Sequence, residues 1–436
     1  MARHPLPLLI CFDVEPDPRV LDEPNDWVGF EHLFRFIQEA RPSLAEATGT
    51  DPHFIWSLRM DPQIERTYGT PTWVAQRYPD ELAALEEAGD EIALHIHPWR
   101  WDQATGWVSD FVDTEWSRVC VEMAFQAYAE AFGRDCRTTA FGDRWLTRDN
   151  LAVAVAHGAR YDLTPEPGHR PTPTPNPQLG ILPDYTDTPR KPYRPSPDDP
   201  TRPGGSNDAP WIIPITTQPR EGLGQRYSHL AHRTATAPPR GNGPFRGWVD
   251  VVDDTMIAGW ARDEATPDDR VEVALYDGTH CVAVVTADQH RGDLEEAGIG
   301  DGRHGFSVPT GRRLRDGRPH RIRAVIVGTR YELGGVPKTV KLPVAPEPDD
   351  WLPLNLYYDS ATICQSLDAW AASDDLSHIS LKARCDVMVS EDERPQFLAT
   401  FDYLPRFASQ HNVRLVTPEE ALSLLPARLP QALRRA

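Results

Sequence analysis

Four short runs of the chain alternate apolar and polar residues with a period of two, the side-chain period of a β-strand. In LLICFDVE, Leu8, Ile10 and Phe12 fall on one side, and Cys11, Asp13 and Glu15 on the other. FIWSLRMD sets Phe54, Trp56, Leu58 and Met60 against Ser57, Arg59 and Asp61. IALHIH sets Ile92, Leu94 and Ile96 against Ala93, His95 and His97. HISLKARCD sets Ile379, Leu381, Ala383 and Cys385 against Ser380, Lys382, Arg384 and Asp386. Each run pairs an apolar face, suited to packing under helices, with a face that turns polar toward its C-terminal end. Further β-like runs, TTAFG and ARYDLT, are separated by amphipathic stretches such as residues 72–87 and 115–132. Strand alternating with helix is the signature of parallel βα units. In a nearly closed parallel barrel the polar faces would converge at the C-terminal rim.

The style of the chain changes three times. Residues 165–245 are loaded with proline, densest over 165–210, which excludes helix and central strand and leaves WIIPIT as a lone strand candidate. From 246 to 343 the runs become short alternating strands and turns without a long helical period, the pattern of a separate β domain. Beyond 344 the βα style returns, with a helix near Arg394 to Ser409. The expected organisation is therefore an α/β chain: an irregular (β/α) barrel of about seven strands begins in 1–245, an all-β, sandwich-like domain is inserted at 246–343, and 344–436 completes the barrel.

A chain of 436 residues can bury one large and one small core. Its net charge of -20 argues against nucleic acid or an anionic membrane surface as a partner, because phosphate binding needs clustered Lys and Arg. No apolar run reaches the length of a membrane span. The six cysteines lie far apart without C-x-x-C pairing and read as buried free thiols, which suits a cytoplasmic location. The opening PLPLLICFD ends in acids before any cleavage pattern and reads as a strand rather than a signal peptide.

The chemistry follows from the polar faces. His95 and His97, two apart on one strand, project to the same side and can chelate one ion, with a carboxylate from Asp13 or Glu15 completing a three-ligand site open to water. A divalent cation, Zn2+ first, is the expected cofactor. Arg59, Asp61, Arg384 and Asp386 lie on the same faces, either as substrate-directed groups or as an ion-pair network filling the barrel.

The order CFDVEPD, EIALHIHPW, AFGDRW and GARYDLT resembles the polysaccharide deacetylases of carbohydrate esterase family 4, in a branch whose first motif reads D-V-E. The resemblance spans residues 7–165 and resumes over 350–425. It implies an irregular, partly open (β/α) barrel and metal-assisted removal of an acyl group from a sugar. It implies Asp13 as general base, with Glu15 taking the place of the family's second, metal-binding Asp, because Val14 stands where that Asp would fall. Trp99 occupies the place of the family's second histidine, so His97 must serve as ligand beside His95. The family's base-orienting Arg corresponds to Arg144, or to Asp143 in a shifted register. Its late catalytic His has no counterpart at the rim: His378 starts its strand, and Arg384 and Asp386 hold the catalytic end, leaving Asp386, Asp61 and His169 as candidate acids.

Trp99, Trp101, Trp107 and Trp145 follow predicted strand ends, where indoles can stack on sugar faces, and TPEPGH brings Glu166 to the rim. The inserted segment resembles a β-sandwich module attached to bacterial glycosyltransferases, which implies glycan-biosynthesis enzymes as partners. The readings left open are a deacylase acting on an acylated sugar or glycan intermediate, a catalytically inactive barrel that binds glycans or partners, and a hydrolase of another small amide such as a ureide or cyclic imide.

Overall fold

The computed structural model describes residues 5–17, 23–103, 106–171, 183–219, 244–267, 269–278, 280–310, 314–315, 317–343, 351–371 and 376–425. Residues 172–182 of the proline-rich stretch thus lie outside the described residues. The chain divides into two compact units, one from residues 1–219 with 350–436 and one from 220–349.

The first unit begins with β1 (Leu6–Val14), α1 (Val28–Thr48), β2 (Ile55–Arg59), α2 (Pro62–Tyr68), α3 (Trp73–Arg77), α4 (Pro79–Glu87) and β3 (Glu91–Ile96). A hairpin of β4 (Trp99–Asp102) and β5 (Gly106–Ser109) follows, then α5 (Thr114–Phe132), β6 (Thr138–Phe141), α6 (Arg148–Ala156), β7 (Tyr161–Asp162), β8 (Trp211–Ile212) and β9 (Thr217–Pro219). The second unit holds β10 (Phe245–Val252), β11 (Met256–Asp263), β12 (Glu272–Asp277), β13 (His280–Thr286), β14 (Gly305–Pro309), β15 (Pro319–Ile326) and β16 (Lys338–Lys341). The chain returns to the first unit with β17 (Trp351–Pro353), β18 (Ile379–Arg384) and β19 (Val413–Leu415), the last two separated by the helix Glu393–His411.

The period-two faces separate into two cores. Leu8, Ile10, Phe12, Trp56, Leu58, Ile92, Leu94, Ile96, Ile379 and Leu381 pack with helix residues such as Phe30, Leu33, Phe397 and Leu404. The opposite faces contribute Leu9, Cys11, Ile55, Ala93, Ala140, Leu163, Ile213 and Ile215 to a second, inner cluster. Each fully buried Leu or Ile contributes about 2 kcal/mol, so a one-residue slip in any strand would be heavily penalised. Register is fixed accordingly.

The strands pair in the order β18-β1-β2-β3-β6-β7-β8, with β19 also on β1, and every pairing is parallel. The sheet curls until its two edges meet: the backbone N of Thr216, just past β8, donates to Ser380 O at 2.8 Å, and Ser380 N donates to Thr216 Oγ1 at 2.9 Å. An α/β fold with a curled parallel sheet results. Register also fixes the neighbours at the C-terminal rim. Asp13 lies beside Arg384 on one side and Ser57 on the other, and Arg59 lies beside His95.

In the second unit two antiparallel sheets, β10-β11-β14 and β13-β12-β15-β16, contribute to one core containing Val249, Ile257, Phe306, Val273, Ile322 and Ile326. Among the described residues no helix is long and apolar enough to cross a membrane. Cys11, Cys120, Cys136, Cys364 and Cys385 are free thiols.

Candidate metal centre

Glu15 leaves the end of β1, where the ladder no longer holds its backbone. Cys385 takes over: its Sγ donates to Glu15 O at 3.1 Å and accepts from Glu15 N at 3.4 Å. His95 lies within β3 and His97 just beyond it, and all three side chains are buried. His95 Nε2 and His97 Nε2 are 3.0 Å apart, and Glu15 Oε2 lies 4.0 and 3.8 Å from them. A triangle with sides of 3.0, 3.8 and 4.0 Å has a point about 2.1 Å from all three corners, which is the bond length of Zn2+ to imidazole nitrogen and carboxylate oxygen.

The protons settle what these atoms offer. His95 Nδ1 faces Ala140 O at 2.6 Å, and His97 Nδ1 faces Asp143 Oδ2 at 3.0 Å. A carbonyl and a carboxylate accept only, so each Nδ1 carries the hydrogen and each Nε2 a lone pair. Burial, then the charge of Arg59, pushes His95 down to about 3. Burial likewise lowers His97, against the raising effect of Asp143. Both rings are neutral, the form that binds a metal. The donor set therefore fits a divalent cation such as Zn2+.

The turn after β6 holds this arrangement in place. Asp143 and Arg144 adopt φ of 51° and 58°, left-handed conformations that non-glycine residues rarely take. The kink turns Asp143 back, so that its Oδ2 accepts from His97 Nδ1, Trp99 Nε1 and Ser109 Oγ at 3.0, 2.8 and 3.0 Å. It also sends Arg144 toward Glu166, whose Oε2 lies 3.5 Å from Nη1. Gly142 lets the backbone pass beside His97, since a Cβ there would sit 2.1 Å from His97 Nε2.

Of the other expected residues, Asp13 lies against the triad, its Oδ1 3.5 Å from His95 Nδ1. Glu166, almost fully buried, meets Lys382 Nζ at 2.8 Å through its other oxygen. Burial would raise the Glu166 carboxyl, but Lys382 and Arg144 hold it below the usual carboxylate range. Arg384 pairs with Asp386 at 2.9 Å and Glu393 at 3.1 Å, and its guanidinium lies over the Tyr357 ring.

Arg59 and Asp61 are fully buried and bonded to each other behind Glu15, the ion-pair arrangement that the sequence left open beside a substrate-directed role. Two expectations need correction. Trp145 is fully buried between Phe111 and Phe141, because the apolar core reaches past β6 and takes the indole inward. Trp99 is 6% exposed, with its ring against the Arg59 guanidinium and its N–H spent on Asp143. Trp101 remains half-buried on the hairpin, edge-on to Trp107, with Arg66 over its ring. His169 is buried, and its backbone N donates to Glu166 O. His378 is buried at the start of β18 with Nε2 3.0 Å from Pro214 O, away from the rim as its strand position implies. Lys382 was not singled out from the sequence, although its place on the polar face of HISLKARCD carried the signal.

No family model and no curated protein matches the chain. Its structure is similar to those of polysaccharide deacetylases. With a chain from Mycobacterium smegmatis assigned to that group it shares 12% identity and a TM-score of 0.26, over 48% of this chain and 58% of the other. With the family 4 carbohydrate esterase of Streptomyces lividans it shares 13% identity and a TM-score of 0.23, over 36% and 62%. With the peptidoglycan deacetylase PdaC of Bacillus subtilis it shares 13% identity and a TM-score of 0.20, over 34% and 55%. The chain thus spans less than two thirds of the length of each. Overlap this shallow carries no chemistry.

Proposed function

We propose that the chain is a metal-dependent hydrolase that removes an acyl group, N-acetyl above all, from a sugar or glycan precursor. One observation carries the reading: Glu15 Oε2, His95 Nε2 and His97 Nε2 surround a common point at metal-bond distance, with both imidazoles fixed in the ligating tautomer. Glu15, His95 and His97 would hold a divalent ion, which when bound would supply Lewis-acid polarisation of an acyl oxygen and a water of lowered pKa.

The remaining work falls to this chain's own groups. Asp13 accepts the proton of the attacking water and returns it to the departing amine nitrogen as the C–N bond breaks, so one carboxyl serves both steps. Arg144, Lys382 and Arg384 supply positive charge toward the oxygen that becomes anionic. Glu166 holds Arg144 and Lys382 in place, and Asp386 does the same for Arg384. The sugar is proposed from the motif order that resembles the deacetylases, with Trp101 and Trp107 as stacking surfaces. The second unit is proposed to contact enzymes of glycan synthesis in the cytoplasm.

The test is metal analysis of the purified protein, together with acetate release from N-acetylated sugars and oligosaccharides. Metal-loaded protein that is inert on every acylated sugar and small amide would defeat the proposal. A second reading, a barrel that binds glycans without cleaving them, draws on His378 lying buried at the far end of β18. It predicts saccharide affinity that a chelator leaves unchanged.

A further inference from the structure

Behind the three donors runs a closed circuit of contacts. Arg59, with none of its surface exposed, donates from Nη1 to Glu15 Oε2 at 3.3 Å. Its Nε and Nη2 grip the two oxygens of Asp61 at 2.6 and 3.1 Å, and Nη2 also donates to Gln63 Oε1. Asp61 Oδ2 accepts a second hydrogen, from the backbone N of His97 at 3.1 Å. The Trp99 ring covers the guanidinium at 5.1 Å, and Trp99 Nε1 and His97 Nδ1 share Asp143 Oδ2. Two of the three donors, Glu15 through its side chain and His97 through its backbone, are thus fastened to one buried ion pair.

The physical consequence lies in the lone pairs. Three lone-pair-bearing atoms held 3.0 to 4.0 Å apart repel one another, so their spacing has to be imposed from behind. A lysine could supply the charge but not the fork: Arg59 uses separate nitrogens for Glu15 and for Asp61, which fixes an angle as well as a distance.

We propose that Arg59 is a positioning residue of the metal centre, setting through Glu15 and Asp61 the spacing of the donors and hence the affinity and coordination geometry of the bound cation. The proposal rests on reading Glu15, His95 and His97 as metal ligands.

The experiment uses the full chain with Zn2+ and Co2+ alone as probes. Affinity is measured by competition with a chelator, and geometry by the visible absorption of Co2+. Arg59→Met is expected to bind Zn2+ about 10- to 100-fold more weakly and to change the Co2+ spectrum, as outer-shell substitutions at metal sites do. Arg59→Lys, which keeps the charge and loses the fork, falls between it and the wild type, and Asp61→Asn shifts both readouts in the same direction. If Arg59→Met does not fold, the other two variants carry the test. Folded variants with wild-type affinity and spectrum, whatever their melting temperatures, overturn the inference about Arg59 alone. A wild-type protein that binds neither ion overturns the metal centre itself and this inference with it.

Discussion

Lys382 Nζ stands 2.8 Å from Glu166 Oε1, tying β18 to the segment that follows β7. Glu166 is 1% exposed in its side chain, whereas Lys382 keeps 25%. Removing the lysine leaves a buried carboxylate with Arg144 3.5 Å away. Lys382→Met is expected to cost about 2 kcal/mol, below the usual figure for a broken buried pair because Lys382 is partly solvated. Urea unfolding of wild type and variant checks it.

The same pair predicts a pH dependence. Glu166 is held below its unfolded value, since Lys382 and Arg144 outweigh burial. Its contribution is therefore present above about pH 4.3, the unfolded value, and is lost as pH falls through the lower folded one. Asp162 has the opposite sign. Burial raises it to about 6, so its contribution is present at low pH and is lost as pH rises from about 4 through 6. Stability profiles should show Lys382→Met flattened on the acid side below pH 4.3, and Asp162→Asn flattened between pH 4 and 6. Profiles that superimpose on wild type in both windows would count against these assignments.

Asp13 and His97 should separate chemistry from metal binding. Asp13→Asn keeps the shape of the site and removes the proton acceptor, so acetate release should fall about 10²- to 10⁴-fold while Zn2+ still binds. His97→Ala removes a ligand, so metal affinity and activity should fall together. Chelator competition and an acetate assay on both variants make the comparison. Equal loss of metal in Asp13→Asn would move Asp13 from base to ligand.

The period of two makes the rim legible in the sequence. The inner and outer clusters divide Leu8 from Leu9 and Ile92 from Ala93 as the alternation requires, and the same parity sends Asp13, Glu15, His95 and His97 inward together. Depth was not legible. Parity says that Arg59 and Asp61 face inward but not that their bidentate pairing lets them sink behind Glu15. Nor does a strand pattern reveal a reversal such as Asp143, whose contact with His97 depends on left-handed dihedrals at two successive residues. Trp145 was misplaced for a related reason: position after a strand end does not decide whether an indole turns to solvent or to the core.

Gly142 offers the sharpest single substitution. It lies where β6 gives way to the Asp143 turn, and its missing side chain is what lets the backbone pass the His97 ring. A Cβ there would come within 2.1 Å of Nε2 and 2.3 Å of both neighbouring ring carbons. These atoms belong to a ring already held by Asp143 at Nδ1 and packed against Trp99, so it cannot swing aside without giving up those contacts. Gly142→Ala should therefore displace His97 from the common point with Glu15 and His95. Zn2+ affinity should drop by two orders of magnitude or more, roughly the loss of a ligand, while the cores on both faces of the sheet stay intact. Metal titration beside circular dichroism reads both effects, and an alanine variant that binds Zn2+ as tightly as wild type would show that His97 does not belong to the coordination sphere.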